Sequence, residues 1–402
     1  MVCMSTQSRW KLVALSVIVL VVLGAAGWQQ FAPQPGQPRT ITLTPTVTTV
    51  AGTQTTIAPA TGQQDRIVID THAHLYWEAQ SGGSADLAAK TALEIMDRLG
   101  IQKTLIMPPP FPSEIPQKYD YRELIEATKK YPGRFAVLGG GGSLNPMIHS
   151  IRPDEVTPDI RRSFEEMATE ILRNGAIGFG ELTAEHFSLH TGHPYLSTRP
   201  DHPLFLLLAD IAAKYDVPID LHMEAVPQDM PLPKKLDPPN PGTLHENIAA
   251  LERLLSHNRN ARIIWAHAGW DNTGYRTIEL MHQLLQRHTN LYMSIKIQRP
   301  LYPHNMPLDN KGQIPPEWLD LIRSVPDRFV IGSDIFYGVS GEVTWRTPGG
   351  ESQPREDPTW IFLRKLPPDL ARKLAYENVV QIYKLKRDFV VVLILLREVR
   401  MD

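Results

Sequence analysis

The chain has 402 residues, which is enough for one large domain or two ordinary ones. Its 41 basic and 43 acidic residues give a formal net charge of −2, which argues against a nucleic-acid partner. Cys3 is the only cysteine, so the sequence excludes an intramolecular disulfide and a metal site with cysteine ligands. Any bound metal ion must be held by nitrogen and oxygen atoms.

An apolar stretch follows two basic residues at the N-terminus. Arg9 and Lys11 precede an uncharged segment from Leu12 to Trp28. This layout is typical of a secretory signal peptide or of an uncleaved transmembrane helix, and the sequence leaves both open. We therefore expect residues 1–28 to be a signal peptide or membrane anchor. The rest of the chain is then extracytoplasmic, either exported or anchored to the cytoplasmic membrane.

Two further segments flank the expected catalytic domain. Residues 29–64 are rich in Gln, Pro, Thr and Gly and carry only one charge, on Arg39, so we predict a disordered linker. The C-terminal tail, residues 388–402, contains the apolar run Phe389–Leu396, which is too short to span a bilayer. Packing on the domain and an interface in a homo-oligomer both remain open for this tail.

From residue 65 onward, β-branched runs alternate with segments of helical apolar spacing. Eight strand–helix units over residues 65–387 predict an α/β fold of the (β/α)8 TIM-barrel type. A doubly wound open sheet is the alternative, but no glycine-rich phosphate loop follows a predicted strand. In chain order, the predicted elements after the first strand at residues 67–69 are helix Leu87–Leu99, strand Lys103–Met107, helix Tyr121–Tyr131, strand Arg134–Leu138, helix Pro158–Arg173, strand Ala176–Glu181, helix Leu204–Tyr215, strand Pro218–His222, helix Asn247–Leu255, strand Arg262–His267, helix Thr277–Arg287, strand Asn290–Lys296, helix Pro316–Val325, strand Arg328–Asp334 and helix Asp369–Lys384.

Two histidines at alternate positions follow the first predicted strand. They are His72 and His74 in the run Asp-Thr-His-Ala-His. Alternate residues of an extended chain point to the same side, so the two imidazoles are presented together. Such a pair supplies half of a divalent metal site, although a histidine pair on a strand is often only structural.

Ligand-type side chains also end four later predicted strands. Glu181, His222, His267 and Asp334 end the fourth, fifth, sixth and eighth strands. Barrel enzymes carry their chemistry at the carboxyl ends of the strands. Because five strands agree in residue type and in position, we expect these side chains to converge with the first-strand histidines on a cation.

This pattern resembles the amidohydrolase superfamily, and within it the amidohydrolase-2 branch, which includes aminocarboxymuconate-semialdehyde decarboxylase. The resemblance covers about residues 66–387. It implies that one zinc-like ion is bound by four ligands and that His267 acts as an acid/base or polarising residue. The implied ligands are His72, His74, His222 and Asp334.

The fourth predicted strand departs from part of that superfamily. It carries Glu181 and no lysine, which excludes a two-metal site bridged by a carbamylated lysine. Glu181 nevertheless sits where the superfamily's metal-dependent deoxyribonucleases place a bridging carboxylate. In that arrangement His222 and His267 hold a second ion, and we favour one ion over two.

The donor set suits Zn²⁺, with Mn²⁺ or Fe²⁺ as alternatives. We expect a metal-dependent hydrolase in which metal-activated water attacks an amide, ester or lactone of a small molecule. Asp334 accepts the proton, His267 stabilises the oxyanion, and Glu181 completes the catalytic set. A metal-dependent decarboxylase on the same barrel and a non-catalytic binding barrel are the alternatives.

Five residues near the strand ends are candidates for substrate contact. The aromatic side chains of Trp77, Trp270 and Tyr337 could stack on a flat substrate, and simple loop packing is the alternative. Lys296 and Arg299 could hold an anionic group, and a solvated pair is the alternative.

The segment after the fourth predicted strand contains three further histidines. We expect His186, His190 and His193 to lie at the surface. The proline-rich stretch Pro227–Pro241 follows the next strand and predicts a lid or rim loop over the mouth of the barrel.

Overall fold

The computed structural model describes residues 67–77, 83–115, 119–189, 193–237, 239–298, 300–338 and 358–385, which belong to one compact unit. The expectations for the N-terminal segment 1–28, the linker 29–64 and the tail 388–402 lie outside these residues.

The predicted extracytoplasmic location and membrane anchor require correction. A spanning helix needs about 20 predominantly apolar residues. Among the described residues, no helix has both the length and the apolar character to cross a membrane. The longest of them, Pro158–Arg173, has 16 residues and carries charged side chains. This finding contradicts the predicted export or anchoring, and we withdraw that prediction.

Strands and helices alternate along the described chain as predicted. The principal strands are β1 Ile69–Leu75, β2 Lys103–Ile106, β3 Phe135–Val137, β4 Phe179–His186, β5 Pro218–Met223, β6 Arg262–Ala268, β7 Leu291–Ile295 and β8 Phe329–Ile331. The α-helices are α1 Ala85–Leu99, α2 Tyr121–Thr128, α3 Leu144–Ser150, α4 Pro158–Arg173, α5 Pro203–Tyr215, α6 Ile248–His257, α7 Ile278–Arg287, α8 Pro316–Ser324, α9 Pro358–Lys365, α10 Pro368–Arg372 and α11 Asn378–Ile382.

The strands pair in parallel and in chain order. β1 to β3 form one sheet and β4 to β8 form a second. The short strand Gly139–Gly140, directly after β3, pairs in parallel with β4. The short strand Ile335–Tyr337, after β8, pairs in parallel with β1. The two sheets therefore continue into each other at both seams, which gives a parallel α/β fold consistent with a TIM barrel.

Local sequence signals explain where the helices begin and end. Helix α1 begins after Ser84, whose side chain accepts a hydrogen bond from the backbone N–H of Leu87. It ends at Gly100, which adopts the left-handed conformation (φ 72°) that glycine tolerates. Its buried face, which includes Ala88, Ala92 and Ile95, packs in the main core. Burial of such faces against the sheet stabilises the helices more than propensity does.

Three element boundaries differ from the sequence prediction. β1 runs on to Leu75, so His72 and His74 lie within the strand. β4 continues to His186 because its last residues pair with the short antiparallel strand Leu196–Ser197. The last predicted helix is divided into α10, a π-helical turn over Lys373–Glu377 and α11.

Helix α3, which was not predicted, is attached to β4 through a histidine. His149 Nε2 donates to the carbonyl of Thr183 at 2.9 Å. Burial lowers the pKa of His149 to about 4.

This shift predicts a loss of stability in acid. The unfolded chain binds a proton at His149 below about pH 6.5, whereas the folded chain does not until about pH 4. The free energy of unfolding is therefore highest above the pKa of His149 in the unfolded chain, and it decreases as the pH falls below that value. Because His149 is only partly buried, we expect His149→Gln to reduce the stability loss between about pH 7 and pH 5 by about 1 kcal/mol. Urea unfolding at the two pH values measures this, and an equal loss in both proteins would contradict it.

Candidate metal centre

Six ligand-type side chains predicted from the sequence meet at one end of the sheet. Five of them are buried, and the Asp334 side chain is 13% exposed. His72, His74, His222 and His267 lie in the middle or the carboxyl-terminal half of their strands, Asp334 follows β8, and Glu181 is the third residue of the long strand β4. The six are His72, His74, Glu181, His222, His267 and Asp334.

Glu181 lies at the middle of this group. Its Oε2 is 3.6 Å from His72 Nε2 and 3.4 Å from His74 Nε2. Its Oε1 is 2.8 Å from His222 Nδ1 and 3.2 Å from His267 Nε2. Burial alone would raise the pKa of this carboxyl, but the charge on His72 and the hydrogen bonds of the neighbouring imidazoles hold it well below its usual range. Glu181 is therefore an ionised carboxylate shared by two histidine pairs.

The two oxygens of Asp334 have different neighbours. Oδ1 lies 3.1 Å from His74 Nε2 and 3.7 Å from His72 Nε2. Oδ2 pairs with the ammonium of Lys296 and lies 4.0 Å from His267 Nε2. Burial raises the pKa of Asp334, but the Lys296 charge outweighs it and the pKa is well below its usual range. Both oxygens therefore carry charge at neutral pH.

The backbone is strained at two of these residues. His267 has φ 66° and Asp334 has φ 57°, and both values lie in the left-handed region that non-glycine residues rarely occupy. Such conformations cost about 1–3 kcal/mol each and are concentrated at functional sites.

The Nδ1 atoms of His72 and His74 have partners on the side of each ring away from Glu181 and Asp334. His74 Nδ1 donates to the carbonyl of Met107 at 2.8 Å, which directs Nε2 toward the two carboxylates. His72 Nδ1 lies 3.1 Å from Oδ1 of the fully buried Asp220. Partners of this kind fix the tautomer and ring orientation of metal-binding histidines. Asp220 was not among the predicted site residues, although it lies two residues before His222, which puts both on the same side of β5.

The donors form three groups, and in each group the ligand atoms lie within 4.8 Å of one another. One holds His72, His74 and Glu181, a second holds Glu181, His222 and His267, and a third holds His72, His267 and Asp334. Imidazole nitrogens combined with carboxylate oxygens fit a divalent transition-metal ion. His222 shares a group with Glu181 and His267, and the four ligands implied by the family resemblance are spread over the three groups.

Of the candidate substrate residues, Trp270 and Lys296 lie beside the metal donors, whereas Trp77 packs on another aromatic side chain. The Trp270 ring lies 5.7 Å from the His267 ring and 6.2 Å from the His222 ring. Trp77 packs on Tyr119 at 4.2 Å. Lys296 contacts Asp334, as described above, and Arg299 lies outside the described residues.

Tyr337 is fully buried in the core, whereas its neighbour Phe336 is 45% exposed. The Phe336 ring lies 4.4 Å from the His74 ring. Consecutive residues of a strand point to opposite sides. The predicted substrate residue Tyr337 therefore faces the core, and the residue before it, Phe336, faces the surface. At this position, the side chain beside the metal donors is Phe336.

His186 lies closer to the centre than expected. Its ring is 4.9 Å from the His222 ring and 4.6 Å from the His193 ring. Burial, followed by the charge of His222, lowers the pKa of His186 well below its usual range. The expectation of a surface histidine is therefore corrected for His186, and His190 lies outside the described residues.

The fold and the donor groups define a TIM-barrel-like protein with a candidate metal centre at the carboxyl ends of its strands. The sequence profile of the amidohydrolase family matches residues 69–385, and the chain belongs to this family. The resemblance inferred from the strand-end residues is thereby confirmed. No curated protein sequence matches the chain.

Several solved structures are similar in fold. A probable 2-pyrone-4,6-dicarboxylic acid hydrolase from Acinetobacter baumannii is 14% identical, with 79% of this chain and 99% of that chain covered and a TM-score of 0.46. A 5-carboxyvanillate decarboxylase from Novosphingobium aromaticivorans, complexed with manganese, is 14% identical, with 81% and 97% covered and a TM-score of 0.45. A 2,6-dihydroxybenzoate decarboxylase from Rhizobium is 16% identical, with 79% and 99% covered and a TM-score of 0.43.

Proposed function

We propose that the protein is a metal-dependent hydrolase that uses water to cleave an amide, ester or lactone of a small molecule. The observation that carries this proposal is the buried group of four histidines and two ionised carboxylates at the carboxyl ends of the strands. Membership of the amidohydrolase family supports it. We propose that the catalytic domain spans residues 65–387, close to the family match over residues 69–385.

We propose that one divalent ion, zinc in the first place and manganese or iron as alternatives, is held by His72, His74, His222 and Asp334, with the carboxylate of Glu181 as a further ligand among them. Buried carboxylates need a cation or hydrogen-bond donors, and the carboxylates of Glu181 and Asp334 both face imidazole nitrogens. A bound ion of this kind supplies Lewis-acid polarisation and lowers the pKa of water to about 7.

The remaining steps belong to the chain's own side chains. We propose that Asp334, which is ionised and whose side chain is 13% exposed, accepts a proton from the attacking water and passes it to the leaving group. Burial, followed by the charge of Lys296, lowers the pKa of His267 well below its usual range. A neutral imidazole beside the reacting atoms can donate a hydrogen bond to the oxygen that becomes negative.

The side chains around the centre favour a small substrate with a planar part. The Trp270 and His186 rings lie beside His222, and the Phe336 ring lies beside His74. Aromatic rings pack favourably against flat groups at about 4.5–7 Å. Amides, esters and lactones attached to rings are therefore the first compounds to test.

The experiment begins with metal analysis of the full-length chain expressed with added zinc or manganese. We expect about one ion per chain, because a site with nitrogen and carboxylate ligands retains a divalent ion through purification. Less than about a tenth of an ion would overturn the proposal. About two ions per chain would show that the group formed by Glu181, His222 and His267 is also occupied.

A panel of amides, esters, lactones and aromatic acids is then incubated with the enzyme in water labelled with heavy oxygen, which distinguishes hydrolysis from decarboxylation. A hydrolase places the labelled oxygen in the acid product. Release of carbon dioxide from an aromatic acid without label in the product would assign a decarboxylase instead. A chain that retains its ion and converts none of the panel is the outcome expected of a non-catalytic binding barrel.

A further inference from the structure

We propose that the ammonium of Lys296 is an internal counter-cation that competes with the metal ion for Asp334, so that removing its charge tightens metal binding. This inference rests on the proposed function, because it assumes that Asp334 belongs to the metal centre. It assigns Lys296 a positioning role that the family match does not describe.

The ammonium is held inside the protein by two neighbours. Lys296 follows β7, and its backbone N–H donates to the carbonyl of Ala268 at 3.1 Å. Its Nζ pairs with Asp334 Oδ2 and lies 3.5 Å from the centre of the Trp270 ring. Lys296 is only 3% exposed, so carboxylate and indole, rather than water, surround the charge.

The same carboxylate faces the metal donors with its other oxygen. Asp334 Oδ1 lies 3.1 Å from His74 Nε2 and 3.7 Å from His72 Nε2. A divalent ion at these donors therefore shares one carboxylate with the Lys296 ammonium. Two cations that share a buried carboxylate repel each other more strongly than in water, because the local dielectric constant is low.

Lys296 also stabilises the metal-free protein. Without its ammonium, Oδ2 of Asp334 would lose the cation that it pairs with, and a buried carboxylate without a cation is costly. Stabilisation of the metal-free state and repulsion in the metal-bound state change the binding equilibrium in the same direction. Both make metal binding weaker in the wild type than in a variant that lacks the charge.

This role differs from the anion clamp expected from the sequence. The carboxylate that Lys296 meets belongs to the protein itself, and Trp270 covers the ammonium on another side. The position at the end of β7 directs the side chain toward Asp334 of the neighbouring strand end.

The test compares three variants of the full-length chain. Lys296→Met removes the charge but keeps a long side chain that can lie on Trp270. Lys296→Arg keeps the charge. Lys103→Met removes another buried lysine, 7% exposed, which begins β2 at the opposite end of the strands and donates to the Phe135 carbonyl at 3.2 Å.

Metal-stripped proteins are titrated with Zn²⁺ against a competing chelator, and their thermal midpoints are measured without metal. We expect Lys296→Met to bind zinc at least about tenfold more tightly than the wild type and to unfold at a lower temperature when metal-free. Lys296→Arg should bind within about threefold of the wild type, as should Lys103→Met. An unchanged or weaker affinity in Lys296→Met would overturn the inference.

If metal-stripped Lys296→Met does not fold, the variant is purified with zinc and its metal release into excess chelator is timed. Slower release than the wild type supports the inference, whereas equal or faster release overturns it. A wild-type chain that binds no metal would overturn the proposed function together with this inference. A wild-type chain that binds metal, without the expected difference in Lys296→Met, overturns this inference alone.

Discussion

Replacing His72 with alanine should leave less than about a tenth of the metal ion on the purified chain and reduce activity by more than about a hundredfold. His72 is fully buried and belongs to two of the three donor groups. The substitution removes an imidazole whose Nε2 lies 3.6 Å from Glu181 Oε2 and 3.7 Å from Asp334 Oδ1. Residues that only orient a metal ligand already cost about 10–100-fold when replaced, so loss of a ligand should exceed that range.

The matched control is His288→Ala. His288 is 4% exposed and its Nε2 lies 3.2 Å from Glu252 Oε1, so it is also a buried imidazole beside a carboxylate. It lies outside the donor groups of the described residues. We expect this variant to keep its metal ion even if its stability falls. Full metal content in His72→Ala, measured by elemental analysis beside this control, would exclude His72 as a ligand.

Replacing Glu181 with glutamine should weaken zinc binding by more than about a hundredfold. The change keeps the shape of the side chain but removes the negative charge that four imidazoles share. A glutamine amide also brings an N–H₂ group that cannot act as a metal ligand. Competitive zinc titration of the full-length chain measures the effect.

Glu185→Gln provides the control in the same strand. Glu185 is 4% exposed and accepts hydrogen bonds from Tyr195 at 2.9 Å and Ser197 at 2.7 Å. Burial raises its pKa to about 7, so a neutral amide resembles its protonated form. We expect zinc affinity within about threefold of the wild type. Equal losses in the two variants would show that the effect of Glu181→Gln reflects the fold of β4 and not a metal contact.

The convergence of the candidate donor residues could be predicted because their positions follow from strand geometry. His72 and His74 lie on one side of an extended strand whatever the rest of the fold does. Parallel strands bring their carboxyl ends together, and this is enough to place Glu181 and His267 near them.

Ring orientation and partner choice could not be read from the sequence. His222 turns Nδ1 toward Glu181, and this rotation decides which donor group it joins. The choice between Phe336 and Tyr337 depends on the register of a three-residue strand after the chain leaves β8. The carboxylate partner of Lys296 comes from another strand end, which only the folded chain brings into contact with it.

The seam between the first and last strands has a consequence for how the protein is made. The backbone N–H of Asp334 donates to the carbonyl of His72 at 2.8 Å, and the Thr71 hydroxyl donates to the carbonyl of Ile331 at 2.8 Å. Contacts so distant in sequence form late, since the intervening chain must be ordered first. A nascent chain on the ribosome therefore carries the histidine pair early but has neither this seam nor Asp334 until its final strands emerge. The complete set of candidate metal donors is therefore assembled only after the last strands have been synthesised.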